Sequence, residues 1–137
     1  MYITVLIGEF KQEILRINNK VNMEVMRQGL VTQRADVCGD KVMIVAKNKR
    51  LTMLSMFNAE ADRTTIEIMD RLLISKFKKR FIEMVEEELG IKVLAHFKDY
   101  DPDTELSVSV SFFEKPLDEL LPGLSVKRST KNQWQIP

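Results

Sequence analysis

A long apolar pattern of helical period in the second half of the chain constrains the fold more than any other feature. It begins at Thr64-Thr65-Ile66-Glu67, which has the form of a capping box: the Thr64 hydroxyl accepts a hydrogen bond from the Glu67 backbone, and the Glu67 carboxylate reaches back to the Thr64 backbone. It ends at Gly90, a residue typical of the position after a helix. The apolar residues at helical spacing are Ile66, Met69, Leu72, Leu73, Phe77, Phe81, Met84, Val85 and Leu89. The pattern predicts a helix over residues 65–89.

A second amphipathic pattern occupies residues 3–27. Its apolar positions are Ile3, Ile7, Phe10, Ile14, Ile17 and Val21, with charged and polar residues between them. This spacing favours a helix from about Gly8, whereas Ile3 to Ile7 also fits a short edge strand. Because the spacing satisfies nearly three heptads, a helix-to-helix dimer seam is an alternative to packing on the protein's own sheet.

Each helical pattern is followed by a glycine, Gly29 or Gly90, and then by two strand-like segments. The first pair covers residues 30–37 and 41–47, and Gly39 between them supplies the permissive backbone of a tight turn. The second pair covers residues 91–97 and 105–113, linked by the Asp-rich segment 99–104.

The last of these strands alternates strictly between two kinds of side chain. Leu106, Val108, Val110 and Phe112 alternate with Ser107, Ser109 and Ser111. A strand of period two buries one face, so we expect the apolar residues to face the core and the serines to face water.

The order helix, hairpin, helix, hairpin is an internal repeat with halves at about 3–50 and 64–115. It predicts a single α+β domain over residues 1–115, with a four-stranded antiparallel sheet and both long helices on one face. Residues 116–137 are predicted to form a short helix and a C-terminal tail. A dimer whose protomers exchange helices fits the same pattern.

The amino-acid composition argues against several classes of protein. The chain has 137 residues, 21 Lys+Arg against 20 Asp+Glu, one cysteine and one histidine. These counts argue against a disulfide scaffold, a zinc cluster and a dedicated nucleic-acid binder. The sequence shows no signal peptide and no apolar run long enough to span a bilayer, so we expect a cytoplasmic protein without direct membrane insertion.

No catalytic, metal or cofactor signature stands out, and the chain is predicted not to be an enzyme. Cys38 and His96 form the minimum of a nucleophile pair, which every chain with one of each satisfies. Asp99, Asp101 and Asp103 are spaced like the start of a calcium loop. The glycine and glutamate that such a loop requires are missing, so a solvated hairpin turn is the favoured interpretation.

Charge clusters supply the candidate interaction sites. Four glutamates lie near the C-terminus of the second helix, where the helix dipole favours cations, so they suggest a basic partner, with Lys47 to Arg50 the nearest candidate. Two basic runs could meet at an anion: Lys47, Lys49 and Arg50, and Lys76, Lys78, Lys79 and Arg80. A salt bridge from Lys79 to Glu83 would instead make the second run a solvated face. The candidate residues are Lys47, Lys49, Arg50, Lys76, Lys79, Arg80, Glu86 and Glu87.

Residues 77–93, FKKRFIEMVEEELGIKV, followed by the hairpin with Asp99, Asp101 and Thr104, resemble the MpsC family of small bacterial proteins. Residues 29–50 resemble that family's first hairpin, so the likeness covers about residues 15–115. The family usually shows Gly-Arg-Gly-Pro before its first strand, whereas this chain has Arg27-Gln28-Gly29-Leu30.

The family name refers to a sodium-translocating system that generates membrane potential. The resemblance therefore implies a soluble accessory of membrane ion or inorganic-carbon transport and implies no catalytic residue. We expect a non-enzymatic homodimer that also contacts a membrane transport protein. The alternative is a small-molecule or anion sensor that binds its ligand between the sheet and the helices, through Arg34, Lys47, Lys49 or Arg50.

Overall fold

The structure is a computed structural model that describes residues 2–49 and 63–123, with side chains from Val5 onward. Arg50 and residues 124–137 of the predicted tail lie outside the described residues. The elements are α1 (Tyr2–Met26), β1 (Thr32–Cys38), β2 (Lys41–Lys47), α2 (Arg63–Leu89), β3 (Val93–Asp101), β4 (Leu106–Phe113) and a short helix α3 (117–123).

The four strands form one antiparallel sheet in the order β1-β2-β4-β3. The predicted α+β class and four-stranded antiparallel sheet are therefore confirmed. Gly39 has a φ of +62° in the two-residue turn between β1 and β2, a conformation that glycine adopts without a steric penalty.

The ends of the helices differ from the prediction in three places. α1 begins at Tyr2, so the alternative of an edge strand over residues 3–7 is wrong. Arg27, with a φ of +61°, takes the left-handed position after α1 that the sequence assigned to Gly29. α2 begins at Arg63, and the Glu67 carboxylate pairs with Arg63 instead of closing a capping box.

The second hairpin extends further than expected. β3 continues to Asp101, so Asp99 and Asp101 pair with Val108 and Leu106 as strand residues. The loop is reduced to residues 102–105, in which Glu105 has a φ of +61° and donates its backbone N–H to the Asp101 carbonyl. The predicted linker over residues 99–104 is therefore half strand.

One hydrophobic core contains buried residues of the three described helices and of the sheet. The apolar positions of α1 from Phe10 to Val21 are buried within the chain, which confirms intramolecular packing and makes the heptad seam wrong. Leu117 and Leu121 of α3 belong to the same core, so the packed domain continues past residue 115.

The face of β4 that packs on the core is the one that was predicted to face water. Its serines, Ser107, Ser109 and Ser111, are buried, whereas Leu106 and Val108 are exposed. Small side chains on the inner face leave room for large ones from the helices, because interiors are packed to near-crystalline density. The large buried side chains include Phe10, Phe77, Phe81 and Met84.

Candidate functional site

The reversal of β4 leaves an apolar surface on the side of the sheet that faces away from the core. We call it the outer sheet face. Its residues are held in cross-strand register, Met43 beside Val110 and Val110 beside Phe97, with Val45 beside Val108 in the next row. Its apolar members are Met43, Val45, Phe97, Leu106, Val108, Val110 and Phe112.

Four of these side chains are exposed to solvent, and the other three are partly exposed. Phe97 is 59% exposed, Leu106 43% and Val108 40%. Phe97 and Phe112 meet edge to face, with 6.0 Å between ring centroids. Contiguous exposed apolar surface of this kind typically marks an interaction site.

Charged residues flank the apolar centre; the β1–β2 side carries both signs, because Asp36 lies beside Arg34, whereas the β3 side carries carboxylates. On the β1–β2 side lie Arg34 and Lys47, and on the β3 side lie Asp99 and Asp101. Arg34 and Asp99 stand at opposite ends of one row that crosses Val45 and Val108. Arg34 also contacts Asp36 of its own strand at 3.3 Å.

The predicted basic residues are dispersed over the surface. Lys47 lies on the outer sheet face, whereas Lys49 lines a cleft between the helices and the sheet. Lys76 and Lys79 are exposed on α2. The structure therefore does not gather the two basic runs into one anion site.

The glutamates near the end of α2 have partners other than the predicted ones. The Glu86 carboxylate accepts a hydrogen bond from the backbone N–H of Val93 at 3.0 Å. Glu88 pairs with Arg16 and Lys20 of α1. The expected contact with Lys47 to Arg50 is therefore not formed by these two glutamates, while Glu87 is exposed on α2.

Arg80 forms the second ionic contact between the long helices. Its guanidinium lies 2.9 Å from the Glu24 carboxylate of α1 and lowers the pKa of that carboxyl. It also reaches Glu83 at 3.7 Å, so Arg80 and not Lys79 is the partner of Glu83. Arg16 to Glu88 and Glu24 to Arg80 together fit α1 and α2 running antiparallel.

Cys38 and His96 do not form a nucleophile pair. Cys38 is exposed on β1, whereas His96 is buried on β3 at the opposite edge of the sheet. Three inter-strand spacings of about 4.8 Å separate these strands, so the side chains lie more than about 14 Å apart. The His96 ring stacks on Phe81 at 4.5 Å, and its Nδ1 lies 2.8 Å from the Ser111 hydroxyl.

The sequence analysis missed a network of buried amides at the end of α1. Asn22 and Asn48 exchange side-chain hydrogen bonds, and Asn22 also donates to the Gln28 carbonyl at 2.8 Å. Asn18 donates to Gln33 on β1. The available signal was two asparagines, which are poor helix formers, four residues apart on the apolar side of α1.

Side chains of the Asp-rich hairpin form hydrogen bonds within their own turn. The Thr104 hydroxyl donates to the Asp101 carboxylate at 2.6 Å, which lowers the pKa of that carboxyl. Within residues 2–49 and 63–123, no three His, Cys, Asp or Glu side chains are grouped so that they could hold a metal ion. None of the described helices is both long enough and apolar enough to cross a membrane.

Comparison of the chain with protein-family models, with curated proteins and with solved structures found no match in any of the three. The resemblance to the MpsC family therefore stays a prediction from the residues quoted above. The site has to be interpreted from its own geometry.

Proposed function

We propose that this chain is a non-enzymatic cytoplasmic protein that acts by association, and that its outer sheet face binds a second copy of the chain. The observation that carries the proposal is the apolar centre of that face, with Phe97, Leu106 and Val108 exposed. Burying such side chains stabilises an interface by about 25 cal/mol per Å² of apolar surface removed from water.

Charge layout favours a second copy as the occupant. A two-fold axis parallel to the strands, between β2 and β4, lays the β1 edge of one protomer over the β3 edge of the other. This operation brings Arg34 of each protomer over Asp99 of its partner and Val45 over Val108. The arrangement is isologous, because the same patch serves on both protomers. Arg34 can bind both Asp36 and the second aspartate, because a guanidinium has five N–H donors.

The area of the outer sheet face indicates how strongly two copies are expected to bind. Four strands at about 4.8 Å spacing and seven residues at about 3.3 Å rise give roughly 440 Å² per protomer, or about 900 Å² in a dimer. This area lies below the standard size of about 1,600 Å², in the range of weak complexes. We therefore expect a dimer that dissociates on dilution.

Two finer features of the prediction belong to this proposal. The first is the pseudo-twofold repeat, with α1 and α2 sharing the inner face and leaving the outer face for a partner. The second is the link to membrane ion or inorganic-carbon transport, which is supported by the resemblance of residues 15–115 to the MpsC family. In this view the dimer is the accessory unit that a transport protein binds.

The dimer is tested by placing a charge at the centre of the face. Val108→Glu is expected to shift the protein from dimer to monomer in sedimentation velocity between 1 and about 100 μM, because an unpaired carboxylate would be buried. Leu72→Glu is the matched control, since Leu72 is also an exposed apolar residue, 64% against 40% for Val108, and lies on α2. A wild-type protein that is monomeric throughout this range, or a dimer unaffected by Val108→Glu, would contradict the proposal.

The orientation of the dimer is tested by exchanging charges. Arg34→Asp and Asp99→Arg are each expected to weaken the dimer, because like charges then face each other across the interface. The double variant restores opposite charges and is expected to recover most of the lost affinity. If the losses of dimer affinity in the two single variants simply add up in the double variant, this two-fold arrangement is ruled out.

The transport link needs a separate measurement. Tagged protein is recovered from soluble and membrane fractions of its native cells, with Val108→Glu and Leu72→Glu in parallel, and its partners are identified by mass spectrometry. Recovery of a transport subunit supports the accessory role. Recovery of the homodimer alone removes that role and leaves the dimer proposal intact.

A further inference from the structure

The N-terminal half of α2 extends beyond the end of α1. In the antiparallel helix pair Glu24 lies beside Arg80, and α1 ends at Met26. Residues 63–76 therefore continue past α1 by roughly 20 Å at 1.5 Å per residue. The buried residues of α2 begin only at Phe77. This segment is thus a length of helix whose outward side α1 does not cover.

Two large apolar side chains of this segment point away from the sheet. Leu73 and Ile74 line the cleft between the helices and the sheet, so they mark the inward side of α2. At 3.6 residues per turn, Ile68 and Leu72 lie one turn apart on the opposite side. Their side chains are 53% and 64% exposed. Two exposed apolar residues are ordinary for a protein surface, so the charges beside them decide what they can bind.

Basic residues surround these two apolar side chains. Arg71 and Lys76 lie on either side of the line through Ile68 and Leu72, and Lys79 lies on that line, two turns after Leu72. All three basic side chains are exposed, and among the described residues none of them has a carboxylate within 4.0 Å. We call these five residues the α2 ridge.

The carboxylates nearest to the α2 ridge along the helix are directed elsewhere. Glu67 pairs with Arg63 at 3.4 Å, and Glu83 pairs with Arg80 at 3.7 Å. Asp70 lies on the inward side of the helix, in the lining of the cleft. The acidic residues at the end of β3 belong to the outer sheet face, on the other side of the sheet. The α2 ridge is therefore a local positive surface on a chain whose total charge is only +1.

The chemistry of the α2 ridge favours lipid over nucleic acid. Basic side chains on a helix bind the phosphates of anionic lipids, while apolar side chains beside them enter the boundary between headgroups and acyl chains. Proteins that bind single-stranded nucleic acid stack its bases on aromatic side chains. The α2 ridge has no aromatic residue, and its apolar members are an isoleucine and a leucine.

We propose that the α2 ridge binds the surface of a bilayer that contains anionic phospholipid. Arg71, Lys76 and Lys79 contact the lipid phosphates, and Ile68 and Leu72 enter the headgroup boundary. The contact is peripheral, because the ridge lies along the surface and crosses nothing. It goes beyond the proposed dimer and uses the side of the molecule opposite to the outer sheet face. With two apolar side chains inserted, the binding is reversible and sensitive to salt.

The test is flotation of the full chain with two kinds of vesicle, one of phosphatidylcholine alone and one of equal parts phosphatidylcholine and phosphatidylglycerol. Wild type is expected to float with the phosphatidylglycerol vesicles at about 0.05 M salt, and to be released at about 0.5 M salt, where charges are screened within a few ångströms. It is expected not to float with phosphatidylcholine alone.

A charge reversal tests the basic part of the ridge. The double variant Lys76→Glu with Lys79→Glu is expected to bind the anionic vesicles at least twentyfold more weakly, because each basic residue near an anionic membrane contributes a factor of about five. The matched control is Lys92→Glu with Lys115→Glu, which changes the net charge equally at exposed positions away from α2. The control is expected to bind as wild type.

The apolar part is tested in the same assay. Leu72→Glu is expected to weaken binding at least tenfold, because it removes an inserted side chain and adds a charge of the same sign as the lipid. Leu94→Glu is its matched control, since Leu94 is 56% exposed at the start of β3, and is expected to bind as wild type.

Four results would overturn the proposal: no flotation with the anionic vesicles at low salt, equal flotation with phosphatidylcholine alone, equal binding by wild type and the Lys76→Glu, Lys79→Glu variant, or an equal loss in the Lys92→Glu, Lys115→Glu control. Binding of a single-stranded oligonucleotide without binding to vesicles would assign the ridge to nucleic acid and overturn it as well. Sedimentation without lipid tests the dimer by itself. Because Val108→Glu leaves the α2 ridge unchanged and Leu72→Glu leaves the outer sheet face unchanged, failure of the dimer and failure of lipid binding are distinguished.

Discussion

At the scale of single residues, the buried environment of His96 determines its protonation state. It is the only histidine in the chain and is 4% exposed. Its Nδ1 meets the Ser111 hydroxyl, while its Nε2 is buried without a hydrogen-bond partner. Burial, with smaller contributions from Lys98 and Lys78, lowers the pKa of the ring to about 3. The ring therefore stays neutral in the folded protein.

The first residue-scale prediction concerns acid stability. The unfolded chain takes up a proton at His96 near pH 6.5, whereas the folded chain does so only near pH 3. The stability that the neutral His96 ring contributes is therefore fully present above pH 6.5. This contribution decreases as the pH falls from 6.5 towards 3. The contribution of His96 is about 1.4 kcal/mol per pH unit, or about 2 kcal/mol between pH 6.5 and 5.

The measurement is urea unfolding of wild type and His96→Gln at pH 7 and pH 5. The variant is expected to lose stability between the two pH values by about 2 kcal/mol less than wild type, since carboxylate titration is common to both. The ring proton signals, which come from one residue, are expected not to titrate between pH 8 and 5. A ring that titrates near pH 6.5 would show that His96 is not buried in this way.

At the scale of elements, β4 decides which face of the sheet is available for binding. Its serines lie beneath the helices, with Ser109 paired between Ile44 of β2 and Lys98 of β3. A shift of one residue in its register would exchange the two faces completely. The buried serines and the apolar outer sheet face are therefore two consequences of one register.

The element-scale prediction is that substituting a serine of β4 destabilises the fold more than substituting a valine of β4. The alternating sequence pattern by itself suggests the reverse. Ser109→Val adds volume to a filled interior and is expected to lower the free energy of unfolding by about 1–3 kcal/mol. Val108→Ser, on the exposed face, is expected to cost less than about 1 kcal/mol in the monomer. Urea unfolding at submicromolar concentration measures both, and a larger cost for Val108→Ser would place the valines inside.

At the scale of the whole molecule, the described part of the chain is held by one core. Leu117 of α3 is fully buried, and the backbone N–H of Leu117 donates to the Gly39 carbonyl in the first hairpin at 3.0 Å. The C-terminal side of the described chain is thus tied to the turn between β1 and β2. This contact links segments far apart in the sequence.

The whole-molecule prediction follows from that contact. Leu117→Ala is expected to lower the free energy of unfolding by about 2–5 kcal/mol, because it removes a buried side chain and leaves a cavity. Glu119→Ala, at an exposed position of the same helix, is the control and is expected to change it by less than about 0.5 kcal/mol. Equal effects of the two substitutions would mean that α3 is not part of the core in solution.

The sequence predicted those features that depend on neighbours along the chain. Helical spacing identified both long helices, and glycines at the turn of the first hairpin and at the end of α2 marked the positions where the backbone has a positive φ, Gly39 and Gly90. For the same reason the four strands and their antiparallel pairing were predictable. Local conformation depends on steric limits and periodicity that each segment carries by itself.

The candidate site was predicted far less well. Of the proposed interaction residues, Lys47 lies on the outer sheet face and Lys49 lines the cleft, whereas Lys98, which also lines the cleft, was not selected. Lys98 alternates with exposed strand residues and carries no sequence mark of burial. Its position depends on Phe77, which comes from a helix 21 residues earlier in the chain.

What the sequence determined by itself was the type and order of the elements, because hydrophobic period and turn chemistry are local properties. What only the tertiary structure decided was which face of β4 is inside. An alternating strand fits either orientation, and the choice depends on the volumes that the helices bring to the sheet. The same packing left the apolar face of the sheet outside, and the proposed dimer rests on this feature.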